Sequence, residues 1–553
     1  MKTMIIIFLF CSIAFTALLM TNTVSASHII IYVNGSHGSD SWDGLSWKTA
    51  KLSIKNAVGT VSNDGTVKIA NGVYTGTKNT AININKDVTI TGQSKDGTII
   101  NGTNSAQIFY ISSGKKAAFQ NLTFKNGNAT YGGIIGNTGN LIINNCIFRN
   151  NHATSGGVIY NKGNLTVSSG TFTSNTATYG GSIYTKGTSV VKVTVRGSTF
   201  KYNKAGQGGA IFNNGGSLNV DNNTFTNNSA TVDDGGAILN CGPLTVTNSI
   251  FTNNTATGST TGDGGGGSAI HNYGTSIITN SSFIRNKADH GGAIDDVVLS
   301  RVYTSTVANC SFYYNSAVSQ GGVIITNNSL ILTSSKFVSN HANYGGVAYN
   351  LGKLTFKSSN FTGNSATTNG GVVYNRGTAI TLTSSTLTGN TATYGGVIYN
   401  RIGTLTANFN RFDGNTATTG RGKNIYRYSG TANTELNWWG SNSGPSGSII
   451  GYTLTTWFVL HATASPRSMD DTTTSTITVN LIYDNKGVYH SPISGRVPDG
   501  TPVSFATTLG SIKSRVSTVN GTAKSILTSR TNRTTYVTVT LDSQKISIPI
   551  NVY

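Results

Sequence analysis

Two short motifs recur together along most of this 553-residue chain, and their spacing limits the folds it can adopt. One reads GGVIYN or a close variant, the other is Phe-x-x-Asn, and successive copies are most often 24 or 25 residues apart. The diglycines begin at Gly132, Gly156, Gly180, Gly208, Gly235, Gly291, Gly321, Gly345, Gly370 and Gly395, with degenerate copies near Gly267 and Gly422. A period in this range is typical of solenoids, in which each repeat stacks on the next.

A single repeat, from Gly156 to Asn175, predicts strands and no helix. It contains three short β-prone runs, GGVIY, NLTVSSG and TFTSN, separated by Gly, Asn and Ser turns. Three strands per coil indicate an all-β chain folded as a parallel β-helix, in which each strand pairs with its equivalent about 4.8 Å away. About twelve repeat coils would then form a rod about 60 Å long, before the N-terminal coils are added.

The repeats align into columns that predict which side chains face inward. The third residue after the first Gly is apolar in every copy, as at Ile159, and should form the core. The fourth residue after the first Gly is most often Tyr, and we call this position the Tyr column. Because the column also holds His271 and Asp295, we expect it to face solvent or a wet edge. It either packs ring on ring or offers an aromatic platform to sugars or partner proteins. The binding-surface candidates are Tyr160, Tyr184, Phe212, Tyr349, Tyr374 and Tyr399.

Recurrent Asn residues predict the turns. Asn tolerates the left-handed conformation, and stacked side-chain amides can form hydrogen bonds along the rod. The cysteines are too few for a disulfide framework. Cys146 and Cys310 each precede a motif Phe by two residues, so we predict that both are buried packing residues.

Composition agrees with a Gly-rich β-structure and argues against nucleic-acid binding. The chain has 67 Gly and only 10% charged residues, unlike helical bundles or coiled coils. Its net charge of +20 reflects few acids, 19 Asp and Glu against 39 Lys and Arg. Because the basic residues are scattered and never form a run of five or more, we expect no nucleic-acid partner.

Residues 1–26 are predicted to be a signal peptide. The apolar run 4–20 is followed by Val-Ser-Ala at 24–26, a small-residue pattern that signal peptidase cleaves after. A retained signal anchor is the alternative. No later run is apolar for long enough to cross a membrane, so we predict a monomeric, secreted or cell-surface protein with no transmembrane span in its mature chain.

The paired motifs resemble the GGA(I/L/V) and FxxN repeats of chlamydial polymorphic membrane proteins and of adhesin-like surface proteins of methanogenic archaea. The resemblance covers about residues 124–424 and implies a right-handed β-helix of the pectin-lyase-like type. Residues 27–123 resemble the cap and first coils of such helices, and LNWWGSNSGPSG resembles their closing segment, which places the repeat β-helix and its cap at 124–451. The chain shows no autotransporter-barrel pattern, so we expect the archaeal type.

The repeat stops at about Tyr452, and residues 452–553 predict a separate domain. Residues 474–483 alternate in polarity, and Asp-Asn-Lys-Gly, Pro-Asp-Gly and Asn-Gly turns follow at short intervals, as in an antiparallel β-sandwich. PDGTPVSF and STVNGTAKSILTS resemble the bacterial Ig-like domains of invasin and intimin. That resemblance implies a spacer or binding tip at the cell surface.

Acidic residues are scarce in the repeats, yet six of them gather in three consecutive coils that also carry long insertions. They are inert loop residues, or Ca²⁺ ligands together with loop carbonyls, or part of a hydrolase or lyase site. The metal-ligand candidates are Asp233, Asp234, Asp263, Asp289, Asp295 and Asp296. Other than Ca²⁺, no cofactor is predicted, and no catalytic residue is assigned.

These features predict a secreted, adhesin-like surface protein. Its β-helix would bind extracellular glycans or surface proteins of other cells, or the envelope, without catalysing a reaction. Since this fold carries many functions, two alternatives stay open: a polysaccharide lyase or hydrolase on the same scaffold, and a structural envelope component.

Overall fold

The computed structural model describes residues 29–188, 190–232, 234–258, 266–298 and 302–553. The predicted signal peptide lies outside these residues. The regular secondary structure of the described chain is almost entirely β-strand, and its single helix is Ile54–Thr60. In this part of the chain, no helix combines the length and the apolar character that a membrane crossing requires.

Residues 30–450 wind into a parallel β-helix whose strands stack in four sheets of 16, 15, 14 and 12 strands. The predicted parallel β-helix is therefore confirmed, with about 15 coils. The 16-stranded sheet runs from Ile30–Val33 to Thr431–Asn433, and the 15-stranded sheet runs from Ile82–Ile84 to Ile449–Ile450. The 14-stranded sheet runs from Gly72–Tyr74 to Arg411–Asp413, and the 12-stranded sheet runs from Asn128–Tyr131 to Thr416–Ala417.

Each full coil contains four strands, not the three that the sequence predicts. The additional strand belongs to the 12-stranded sheet and lies between Phe-x-x-Asn and the diglycine, as Thr176–Tyr179 does. Its side chains are half-buried or exposed, so it has no apolar alternation by which to recognise it. It is a strand because it pairs in register with His152–Ser155 and Lys204–Gln207 on either side.

Two sheets meet at the diglycine and position the candidate site. The strands of the 12-stranded sheet are Asn128–Tyr131, His152–Ser155, Thr176–Tyr179, Lys204–Gln207, Ser229–Ala230, Thr255–Ala256, Lys287–His290, Ser316–Gln320, His341–Tyr344, Ser365–Asn369, Thr391–Ala392 and Thr416–Ala417. Those of the 15-stranded sheet are Ile82–Ile84, Phe109–Ile111, Ile135–Asn137, Ile159–Asn161, Ile183–Lys186, Ile211–Asn214, Ile238–Asn240, Ile270–Asn272, Ile294–Asp296, Ile324–Thr326, Ala348–Asn350, Val373–Asn375, Ile398–Asn400, Ile425–Arg427 and Ile449–Ile450.

The rod is filled by stacked columns of similar apolar side chains. The predicted Ile column is buried throughout, with at most 2% exposure from Ile135 to Ile398. Beside it, the motif Phe rings from Phe124 to Phe361 stack with centroids 4.6–5.0 Å apart and planes within 13°. Strand pairing sets this spacing, so backbone hydrogen bonds and ring packing reinforce each other.

Buried amides form a second continuous column, as the sequence predicts. The motif Asn residues from Asn151 to Asn390 each donate a side-chain hydrogen bond to the Asn of the next coil, and Asn415 is the last acceptor; for example, Asn340 Nδ2 donates to Asn364 Oδ1 at 2.9 Å. The left-handed residue of the turn is the one before the ladder Asn, such as Ser339 with φ 53°. The ladder Asn is therefore selected for its amide and not for its backbone freedom.

Both predicted packing cysteines are buried. Desolvation raises the pKa of Cys146 to about 12 and that of Cys310 to about 11. Both thiols therefore stay protonated and unreactive at neutral pH.

Residues 458–552 form two further sheets of four and five strands around a second hydrophobic core. We call this part the C-terminal module. Its strands are Phe458–Ser465, Ser468–Met469, Thr474–Asp484, Pro502–Thr507, Ser511–Ile512, Arg515–Ser517, Thr522–Thr528, Thr535–Leu541 and Gln544–Val552. All pairings but one are antiparallel.

Candidate metal centre

The diglycine forms the corner between the 12-stranded and 15-stranded sheets. At Gly156 φ is +67°, and a Cβ there would lie 2.0 Å from the carbonyl oxygen of Ile159, so only Gly fits. The turn brings two rows of outward-facing residues together. One is the Tyr column; the other, the pre-diglycine column, consists of the residue before each diglycine, such as Tyr179 and Tyr344.

The corner buries most of the Tyr column, so the expectation that the column faces solvent is wrong for four of the six candidates. The four buried residues, each with an exposed fraction of 3–9%, are Tyr184, Phe212, Tyr349 and Tyr374. Tyr160 and Tyr399 are half-buried. The cover comes from the pre-diglycine column, in which the edge of Tyr344 meets Tyr374 with centroids 5.4 Å apart.

Within the corner, the tyrosines pack ring on ring. Tyr349, Tyr374, Tyr399 and Tyr426 stack with centroids 4.9–5.3 Å apart and planes within 10°. Burial, together with the neighbouring Tyr374 and Tyr426, raises the pKa of Tyr399 to about 12. The stack stabilises contacts between coils, while a binding role for these rings stays a prediction.

The Tyr column carries neither Tyr nor Phe in four consecutive coils, and there the corner holds Asp234, His271 and Asp295. His271 and Asp295 are register neighbours in the Tyr column, and Asp234 faces them from the pre-diglycine column. Nδ1 of His271 lies 3.4 Å from Oδ2 of Asp234 and 3.5 Å from Oδ2 of Asp295. The three residues are only 3–6% exposed, and one side-chain donor atom from each lies within 4.8 Å of the others.

Surrounding groups hold the two carboxylates differently. Asp234 accepts hydrogen bonds from the Gly266 amide at 2.7 Å and from the Tyr273 hydroxyl at 3.2 Å. Gly266 also makes room for Asp295, because a Cβ at position 266 would lie 1.9 Å from Oδ2 of Asp295. Oδ1 of Asp295 is buried and accepts no hydrogen bond from the described residues.

Asp296 points away from this cluster, although it is adjacent to Asp295. It takes the place of an Asn in a second buried amide ladder and accepts hydrogen bonds from Asn272 Nδ2 at 3.0 Å and Asn328 Nδ2 at 3.2 Å. Desolvation raises the pKa of Asp296. Alternation along the strand sends the two side chains in different directions, so the predicted candidate Asp296 is not part of the site.

Of the three remaining metal-ligand candidates, one lies within the described residues and two lie outside them. Asp289 is half-buried, and its Oδ2 accepts a hydrogen bond from the Gly258 amide at 3.0 Å. It is not one of the three residues of the cluster. Asp233 and Asp263 lie outside the described residues.

His271 is the site residue that the list of acidic candidates leaves out. The sequence carried a signal for it, because His271 replaces a Tyr in the column one coil before Asp295 does so. What the sequence does not show is that Asp234, 37 residues earlier, reaches across the corner to the same point. The corner angle, and not the spacing, brings the three together.

Two carboxylates and one imidazole can bind a cation or transfer protons. Glycoside hydrolysis by two carboxyl groups requires about 5–9.5 Å between them and room for the sugar. Here the donor atoms are closer, within 4.8 Å, and the three residues are buried. The geometry fits a cation better than a bound substrate.

Two family models match parts of the chain. The model described as right-handed β-helix region matches residues 181–361, and the Chlamydia polymorphic membrane protein repeat model matches residues 145–162 and 358–376. The fold is thus a right-handed parallel β-helix with repeats of the polymorphic membrane protein kind. A search of curated proteins finds no match for this chain.

Three solved structures show a remote likeness. The D0-D1 domain of intimin is 23% identical over 18% of this chain, with a TM-score of 0.14, and the match spans about half (49%) of the intimin structure. A rhamnogalacturonan lyase is 12% identical over 69% of this chain and 81% of its own, with a TM-score of 0.22. The GH136 lacto-N-biosidase from Eubacterium ramulus is 11% identical over 74% of this chain and 67% of its own, with a TM-score of 0.24. Likenesses this remote carry no argument about activity.

Proposed function

We propose that this chain is a cell-surface protein that binds glycans through the outer face of its β-helix. The repeats of polymorphic membrane protein kind support a surface location. In this proposal the chain is exported, the archaeal adhesin-like proteins are its relatives, and the C-terminal module is an Ig-like spacer. Proteins of other cells are the alternative partners.

The observation that carries the proposal is an open recess where the Tyr column lacks a ring. Gly136 occupies the column between its register neighbours Tyr110 and Tyr160. Tyr131 reaches over from the pre-diglycine column, with its ring centroid 4.8 Å from that of Tyr160. The result is a cavity of about 360 Å³ walled by three tyrosines, two of which, Tyr110 and Tyr131, are 42% and 56% exposed.

The recess has the chemistry that a sugar ring requires. Tyrosine rings offer flat apolar surfaces with a polar edge, and binding pockets combine such walls with a few polar groups. Lys162 and Gln107 supply the polar groups here, and Nζ of Lys162 lies 5.6 Å from the ring centre of Tyr160. Since the nearby charge is positive, we expect sugars that carry a carboxylate to bind more tightly than neutral ones.

Calorimetric titration with neutral and carboxylated oligosaccharides tests the proposal. The variant Tyr131→Ala/Tyr160→Ala should bind at least tenfold more weakly than the native chain. Tyr428→Ala is the matched control, because Tyr428 is 69% exposed and lies outside the recess. Equal binding by the double variant, or no binding by the native chain, would contradict the proposal.

A second candidate function, polysaccharide cleavage, is favoured only by the pair Asp234 and Asp295 beside His271. If the corner opens, the two carboxylates could serve as acid and base. Sugar release from polysaccharides would then be lost in Asp234→Asn and in Asp295→Asn. If the native chain releases no sugar, the hypothesis of polysaccharide cleavage is wrong. If it also binds no glycan, a structural role in the envelope is favoured.

A further inference from the structure

We infer that Asp234, His271 and Asp295 form a binding site for a divalent transition-metal ion, such as Zn²⁺ or Mn²⁺. Each ligand comes from a different one of three consecutive coils, since the corresponding diglycines begin at Gly235, Gly267 and Gly291. A bound ion would therefore fasten three coils together. The site does not depend on glycan recognition, because it is in a different part of the corner from the tyrosine recess.

Two of the three distances between the donor atoms suit one small ion, and all three are within 4.8 Å. A tetrahedral ion with bonds of about 2.0–2.1 Å holds its ligand atoms about 3.4 Å apart. Nδ1 of His271 lies 3.4 Å and 3.5 Å from the two carboxylate oxygens. These separations are long for hydrogen bonds and match the edge of such a coordination shell.

The negative charges of the two buried carboxylates also favour a bound cation. Asp234 and Asp295 are 3% and 6% exposed, and among the described residues both form ion pairs with His271 alone. Burial of two carboxylates without full compensation is costly, and one imidazolium would neutralise only one of them. A divalent ion beside a neutral imidazole balances both charges.

Asp295 supplies a second, independent indication of a ligand. Its Oδ1 is buried and has no hydrogen-bond donor among the described residues, although buried polar atoms are nearly always partnered. Its Oδ2 faces His271 across the space that Gly266 leaves open. The carboxylate is thus placed as a metal ligand would be, with one oxygen left to bind the ion or to accept a bond from a ligated water.

The presence of His271 selects the kind of metal. Ca²⁺ prefers six to eight oxygen ligands, whereas imidazole nitrogen suits Zn²⁺ and its neighbours, and the two carboxylates also suit Mn²⁺. The Ca²⁺ prediction rested on Asp residues and loop carbonyls, without an imidazole. Asp296 is engaged in the amide ladder and Asp289 with a backbone amide, so neither adds a carboxylate to the three residues.

The ion would replace the interaction that these coils lack. On either side of this stretch, from Tyr160 to Phe212 and from Tyr349 to Tyr426, aromatic rings of the Tyr column contact each other from one coil to the next. Between them, the column passes from Leu239 through His271 and Asp295 to Ile325. Metal bonds at this point would connect coils that ring packing does not. Binding to the folded state alone would raise the unfolding temperature.

The test uses the secreted full chain after chelation and dialysis. Zn²⁺, Mn²⁺ and Ca²⁺ are titrated singly by calorimetry, and thermal unfolding is recorded with and without each ion. We expect one Zn²⁺ or Mn²⁺ per chain, bound at least tenfold more tightly than Ca²⁺, with a raised unfolding temperature. Binding of none of the three ions, or tighter binding of Ca²⁺, would overturn the inference.

Paired variants separate loss of the site from loss of the fold. Asp295→Asn and His271→Tyr should each weaken binding at least tenfold, and the second restores the common residue of the Tyr column. Asp296→Asn is the control, because it restores the common residue of the amide ladder next to the site. Each variant is first shown to be folded by its unfolding temperature without metal. If folded Asp295→Asn binds the ion as well as Asp296→Asn does, the assignment of the ligands is wrong.

Discussion

Trp438 and Trp439 are adjacent in sequence but are buried in different hydrophobic cores. Trp439 stacks on Phe412, with centroids 4.5 Å apart and planes at 9°, and ends the β-helix core. Trp438 lies in the core of the C-terminal module, and its Nε1 donates a hydrogen bond to Asp542 at 2.6 Å. Asp542 also accepts a hydrogen bond from Nε of Arg411 at 3.0 Å. One dipeptide therefore joins the rod to the module.

Truncation of Trp438 should destabilise the module. Because its ring is fully buried, Trp438→Ala is expected to cost about 3–5 kcal/mol of unfolding free energy. Hydrogen exchange of the strand Thr535–Leu541 measures this loss separately from the rod. Trp42→Ala, at a residue that is 43% exposed, should change the unfolding free energy by no more than about 0.5 kcal/mol, and an equal loss in both variants would contradict the assignment.

Removal of one ladder amide should be costly although it is far from any site. Asn340 accepts hydrogen bonds from the backbone and side chain of Asn315 and donates to Phe312 O and Asn364 Oδ1. Asn340→Ala leaves these buried groups unpaired, and each costs about 1–3 kcal/mol. Urea denaturation should show a loss of at least about 2 kcal/mol. Exposed Asn360 lies nearby in the chain, and if Asn360→Ala is equally harmful, the ladder is not the cause.

The stability of the C-terminal module should fall in acid through Asp484. Burial raises the pKa of Asp484, but hydrogen bonds from His490, Val488 and Lys486 outweigh it and leave the pKa below its ordinary value of 3.8. A depressed carboxyl pKa contributes stability above the unfolded pKa, and that stability is lost as the pH falls through the folded pKa. The free energy of unfolding of the native chain should therefore fall between pH 5 and pH 2. In Asp484→Asn this fall should be smaller. In Asp471→Asn, a change at an exposed residue, it should be the same as in the native chain.

Closure of the space at Gly266 should displace a metal ligand without removing it. In Gly266→Ala the new methyl group overlaps Oδ2 of Asp295, so the carboxylate has to move. We expect Zn²⁺ binding at least tenfold weaker by calorimetry. Gly59→Ala is the control, since a Cβ at Gly59 meets nothing within 4 Å. Undiminished binding in Gly266→Ala would mean that Asp295 is not a ligand.

The columns of the solenoid were predictable because each position meets its own copy in the next coil. An apolar column such as Ile159 and Ile183, or an amide column such as Asn340 and Asn364, is therefore visible as a repeat in the sequence. The strand Thr176–Tyr179 was missed because its residues are polar and only pairing makes it a strand. A periodic pattern of apolar residues arises where one face of a strand is buried, and no face of this strand is fully buried.

The stacking of coils, the core columns and the amide ladders follow from the repeat alone, because each stacked position meets the same packing requirement every 24 or 25 residues. The contacts in the corner beside the diglycine are visible only in the folded chain. There the tertiary structure buries tyrosines expected in solvent, separates Asp295 from Asp296, and joins Asp295 to His271 and Asp234. Those contacts depend on which side chains meet across the corner between two sheets, and the residues that meet at this point do not repeat along the chain.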